Sequence, residues 1–167
     1  ELCMLLIETL LPEFDHEIAM TKRVFERIPN EALPWKPHQK SMSLGVLATH
    51  ISTIPHWATL TFTQSEFNIP INEKTSTATS QAELLVKLDQ HSKEARSQLA
   101  GKSDAELMAP WSLKYNRQII FTMPKASFLR KFVFSHLIHH RGQLSVYLRL
   151  KEVPIPPIYG ASADEKI

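Results

Sequence analysis

The stretch SHLIHHRGQLSVYLRL, residues 135–150, carries His136, His139, His140 and Arg141 within an otherwise apolar helical pattern. An α-helix turns by about 100° per residue, so residues four apart lie about 40° apart and one turn along. His136 and His140 therefore point the same way, on a stripe shared with Leu129, Phe132, Val133, Gln143, Tyr147 and Leu150. Upstream, His50 shares a face with Val46, Leu47, Ile54 and Trp57. Neutral imidazoles are ligands for zinc, nickel, copper and iron. Inward imidazoles from two facing helices are how helical bundles build metal sites. His50, His136 and His140 are thus candidate ligands of one divalent ion. The same spacing also suits hydrogen-bonded core histidines, and a chain with 8 histidines produces an H-x-x-x-H pair by chance. Spacing alone leaves both readings open. Residue 137 is Leu, so the built-in general base of H-E-x-x-H proteases is absent.

The other chemistry-bearing residues have plainer expectations. His91 shares a face with Leu84, Leu88 and Ala95, and is expected to be a hydrogen-bonded core histidine rather than a fourth ligand. His16 lies opposite Ile7, Phe14 and Ile18 and is expected in solvent, while His38 falls in a loop and His56 off the His50 face. Arg141 and Arg149 fall on the side of the helix opposite His136 and His140, and a surface salt bridge is expected for Arg141. Trp57 and Tyr147 read as core aromatics that could line a pocket, and Gln143 as pocket lining or a partner for a ligand imidazole. Cys3 is too isolated to nominate as a nucleophile.

Helices must position these residues. The first is expected from about residue 2 to residue 28, with Pro12 inside it and Pro29 ending it. The second begins near Ser41 or Ser43, either able to cap it, and runs to about Phe62 with Pro55 as a kink. Residues 64–79 read as a loop. Ser80 and Glu83 form an S-x-x-E start for the third helix, which runs to about Ala100. In 101–123, SDAEL reads as a helical turn and QIIFTM as a short strand or irregular chain. Pro124 then suits the first turn of a fourth helix over about 125–151, and the tail VPIPPIYGASADEKI is too proline-rich to continue it. The expected fold is all-α, a single four-helix bundle over residues 1–167 with a long connection between the second and third helices.

Composition bounds the function. With 43% apolar and 22% charged residues the chain is globular in profile. A net charge of +2 with no basic stripe argues against nucleic-acid binding. The apolar start, LCMLLIETLLPEF, is too short to span a bilayer and lacks the features of a signal peptide, so no membrane association is expected. A single cysteine permits no intrachain disulfide, which favours a reducing, cytoplasmic setting. No glycine-rich phosphate loop is present.

KSMSLGVLATHIS (40–52), followed far downstream by HLIHHRGQLSVYLRLKEVPIPPIYGASADE (136–165), resembles the DinB-like superfamily of bacterial DNA-damage-inducible-type bundles. The likeness covers nearly the whole chain and is poor between about 101 and 124. It implies a three-histidine metal site, with one ligand on the second helix at His50 and an H-x-x-x-H pair on the fourth at His136 and His140. It also implies a divalent metal cofactor, zinc or nickel first, and a homodimer. The reaction it implies is metal-dependent transfer of a small-molecule thiol, such as bacillithiol or mycothiol, to a small electrophile. A non-catalytic metal-binding stress-response protein and a metal-dependent hydrolase are the alternatives.

Overall fold

The computed structural model describes residues 5–70 and 76–166. Cys3, the expected start of the first helix and part of the expected 64–79 loop lie outside them. Helix α1 spans Leu6–Phe25 and contains Pro12. Helix α2 spans Leu44–Thr63; its cap is Ser43, whose Oγ accepts a hydrogen bond from the Val46 amide. Pro55 lies inside α2 without ending it. Helix α3 spans Gln81–Leu99 behind Ser80, which accepts from the Glu83 amide. The reciprocal bond is displaced by one residue, because Glu83 takes the amide and hydroxyl of Thr79.

The expected turn at SDAEL is the short helix α4, Asp104–Met108, with a complete capping box between Ser103 and Glu106. These bonds and Lys102 hold the Glu106 carboxyl down to about 2. Helix α5, Lys125–Phe128, a π-helical segment, Leu129–Phe134, and α6, Ser135–Leu150, follow without a break and together form the expected fourth helix.

The all-α expectation needs correction. Strands β1 (Glu66–Ile69), β2 (Pro110–Tyr115) and β3 (Gln118–Pro124) form a small sheet in the order β1-β2-β3. β1 runs parallel to β2, and β2 antiparallel to β3 with a register shift between Leu113 and Lys114. Asn116 and Arg117, both at positive φ, make the tight turn between β2 and β3. QIIFTM is thus a strand, and β1 falls where a loop was expected. Trp111, 2% exposed, anchors the sheet to the bundle: its indole N–H donates to the Gln64 carbonyl at 3.1 Å.

The core divides into two clusters along the bundle. One joins Val24, Phe25, Leu44, Leu47, Ile51, Leu84, Leu88, Leu144 and Leu148. The other joins Phe14, Ile54, Ala58, Leu99, Leu107, Trp111, Phe128, Leu129, Val133 and Leu137. Gly45 lets the preceding loop close on α2: its amide donates to the Leu33 carbonyl at 2.8 Å, and a Cβ there would lie 3.0 Å from that oxygen. No helix among the described residues is long and apolar enough to cross a membrane.

Candidate metal centre

The structure brings His50, His136 and His140 together. Nε2 of His136 lies 3.2 Å from Nε2 of His50 and 2.7 Å from Nε2 of His140. Each ring offers one donor atom, and the three donors all lie within 4.8 Å of one another. The rings are half-buried and splayed, with centroids 5.0, 4.8 and 4.5 Å apart. α2 supplies one candidate ligand and α6 supplies two, one turn apart. His91 is not in the group; its Nδ1 donates to the Ser52 carbonyl at 2.8 Å.

The far sides of two rings are tied down. Nδ1 of His140 donates to Oε1 of Gln143, one turn further along α6, at 2.5 Å. His136 hydrogen-bonds the Phe132 backbone, whose carbonyl can only accept. At His140 this bond places the ring proton on the outer nitrogen and leaves the Nε2 lone pair facing the centre. Such outer partners fix the tautomer and orientation of ligand histidines.

Electrostatics favours the same protonation. Burial, then His140 and His136, lower the His50 pKa to about 4. Burial is also the main cause lowering His136 and His140, opposed at His136 by the Phe132 bond and at His140 by the Gln143 bond. All three rings are therefore neutral near pH 7, the form that ligates a metal.

The donor set fits a divalent cation. Nitrogen donors about 2.1 Å from one zinc ion are at most about 4.2 Å apart; the two separations to His136 satisfy this, and the third pair lies within 4.8 Å. Three neutral ligands leave coordination positions open, as in catalytic rather than structural zinc sites.

The remaining sequence expectations fall out unevenly. His16 is exposed and stacks on Tyr159, and His38 is exposed in its loop. His56 lies beside His91, with ring centroids 5.1 Å apart, and its Nδ1 is 3.8 Å from a Glu94 oxygen. The stripe of His136 and His140 proves half-open rather than core; Leu150 is exposed, and the buried stripe of α6 is Leu137, Arg141, Leu144 and Leu148. Arg141 thus does not form a surface salt bridge. It is 1% exposed and pairs with Glu17 of α1 at 2.6 Å, because the back of α6 packs on α1. Tyr159 joins this pair, accepting from Arg141 at 2.7 Å and donating to the Glu17 carboxylate at 2.8 Å. Sequence reasoning missed this pairing, since nothing local links residues 17, 141 and 159. Arg149 does make a surface pair, with Asp164. A cleft of about 550 Å³ lined by Leu6, Leu10, Met108 and Arg130 does not include the histidines.

No curated protein matches the sequence. Among solved structures, a DinB-like protein from Bacillus cereus ATCC 10987 superposes with a TM-score of 0.72 at 24% identity, covering 91% of this chain and 97% of that one. A DinB-like protein from Bacillus subtilis superposes with a TM-score of 0.69 at 22% identity, covering 90% and 97%. At these identities the likeness establishes the fold. The DinB family profile matches residues 4–166, so the chain belongs to the DinB family.

Proposed function

We propose that His50, His136 and His140 ligate a divalent metal ion, zinc or nickel first, and that this centre activates a small thiol for transfer to an electrophile. One observation carries the metal reading: the imidazoles converge by their Nε2 atoms while Gln143 and Phe132 hold the outer sides of His140 and His136. When bound, a divalent ion supplies uncompensated positive charge that lowers the pKa of a coordinating thiol. The chain's own part is to present neutral ligands, fix their tautomers and leave the centre half-open to an incoming sulfur. In the transfer the thiol gives its proton to solvent and its sulfur forms a bond to an electrophilic carbon, while either a leaving group departs with its bonding pair or the π bond of a double bond breaks and the adjacent carbon takes up a proton from solvent. Thiol activation is preferred to hydrolysis because Leu137 stands where the H-E-x-x-H base would be.

Elemental analysis of the purified protein beside His50→Ala tests the centre, with near-stoichiometric metal expected in the first and strong depletion in the second. Equal metal content in both would overturn the site. Assays with bacillithiol, mycothiol and simpler thiols against small electrophiles test the reaction. Turnover lost in chelator and restored by metal supports transfer. Absence of turnover with every thiol, on metal-loaded protein, would leave a binding protein without this activity.

A further inference from the structure

Helix α2 carries another histidine on a different side. His56 follows His50 by six residues, about 120° round the helix and about 9 Å along it. It meets α3 instead of α6: the rings of His56 and His91 have centroids 5.1 Å apart. Two imidazoles bound to one ion at about 2.1 Å have centres roughly 5 Å apart. Glu94, one turn along α3 from His91, brings Oε2 to 3.8 Å from Nδ1 of His56. That is too long for a hydrogen bond but within the span of two ligands on one ion. Outer partners hold two of the three groups. Nδ1 of His91 donates to the Ser52 carbonyl, which leaves Nε2 as its ligand atom. The Gln90 amide donates to Oε1 of Glu94 at 3.1 Å, while Oε2 lies on the His56 side. One turn beyond His56, the buried Oγ1 of Thr59 has no hydrogen-bond partner among the described residues. A buried hydroxyl in that state calls for an explanation, and an ion with its water ligands supplies one.

We propose that His56, His91 and Glu94 form a second site for a divalent transition-metal ion, in the seam between α2 and α3. Neither site shares a ligand with the other. Two imidazoles and a carboxylate suit zinc, nickel, copper and ferrous iron. The neighbouring cations of α3 are engaged elsewhere, Lys93 with Asp89 and Arg96 with Asp15, so the Glu94 charge faces the seam uncancelled by them. That carboxylate offsets one charge of the ion, which the neutral triad does not. An ion here is therefore less able to acidify a thiol and better suited to clamping α2 to α3. The three groups are not drawn together as closely as the triad. His56 and Glu94 are partly exposed and have room to turn onto an ion. The seam should therefore fill at higher free metal than the triad, and empty when excess metal is dialysed away.

Calorimetric titration of the metal-free protein with zinc tests this. Two steps are expected, the weaker one belonging to the seam. Losing a ligand costs at least what losing its outer partner does, about tenfold. His56→Ala and His91→Ala should each weaken the second step by that much or more, and Glu94→Gln severalfold, with the first step unchanged. His50→Ala should do the reverse. His38→Ala, which removes an exposed loop histidine, should change neither step. In imidazole nitrogen spectra the second equivalent should shift Nε2 of His91 while its Nδ1 keeps the proton. If no step up to millimolar zinc responds to His56→Ala or His91→Ala, the second site is overturned, whatever the triad does. A second step indifferent to both variants would overturn it too, since that marks adventitious binding at other surface groups. A step lost in His91→Ala, in a protein where His50→Ala changes nothing, would support the seam and sink the triad alone.

Discussion

Removing the Glu17 charge should destabilise this protein more than removing Arg141, although the two form one pair. Arg141 is 1% exposed and Glu17 5%, and their charged atoms meet at 2.6 Å. In Glu17→Gln the guanidinium stays buried, with the Glu17 carbonyl at 3.0 Å, Thr21 Oγ1 at 3.4 Å and the Tyr159 hydroxyl at 2.7 Å as partners in the parent fold. None of these carries a compensating charge, and a guanidinium cannot shed its proton. Breaking a buried pair by removing one partner costs about 3–5 kcal/mol, and Glu17→Gln should fall in that range. Arg141→Met leaves a carboxylate that still accepts from the Tyr159 hydroxyl, so its cost should be smaller. The double variant should recover part of the loss, because neither charge is then orphaned. Urea unfolding of the metal-free proteins measures all three, free of any contribution from bound ligand. A Glu17→Gln cost below about 1 kcal/mol, or costs that simply add in the double variant, would refute the reasoning, since both would mean the pair is solvated.

Gln143→Leu should weaken metal binding by about 10–100-fold through loss of the bond that orients His140, and Gln143→Glu, which keeps an acceptor there, should restore most of it; competition with a metal-sensitive dye gives both values. Metal-free protein should lose stability as pH falls from about 6.5 towards 4, because the unfolded chain takes up protons that folded His50, with its pKa lowered to about 4, refuses. The urea midpoint should fall with pH in that window, and His50→Ala should flatten the slope. Gly45→Ala should cost about 1–3 kcal/mol, since the new Cβ would sit 3.0 Å from the Leu33 oxygen and 3.3 Å from its Cβ; an unchanged unfolding midpoint would show that the loop yields.

The parts legible in the sequence were those set by short-range rules. Ser43 and Ser80 cap the helices they precede because a hydroxyl three residues before a free amide satisfies it wherever the chain goes next. The pairing of His136 with His140 was legible for the same reason, since four residues is one turn. β1 was not legible, because Glu66–Ile69 gains its ladder only from β2, some forty residues downstream. Arg141 shows a subtler failure. Three α-helical turns take about 10.8 residues, so a stripe leaving Leu129 arrives at His140. The observed core stripe leaving Leu129 passes Val133 and Leu137 and arrives at Arg141, one residue later. The π-helical segment Leu129–Phe134 accounts for that lag, because its wider turn holds more residues.

The same lag explains how one helix serves both a core and an open centre. Had α-helical phase been kept from Leu129, the imidazole of His140 would sit under the bundle and Arg141 nearer the surface. The wide turn moves the guanidinium into the seam with α1, where Glu17 meets it, and moves His136 and His140 onto the half-open side, where His50 and an incoming ligand can reach them. π-helical turns recur beside functional sites, where an added residue re-aims side chains. Here the re-aimed pair is the H-x-x-x-H motif. The irregularity thus turns the two imidazoles towards His50 and away from the core.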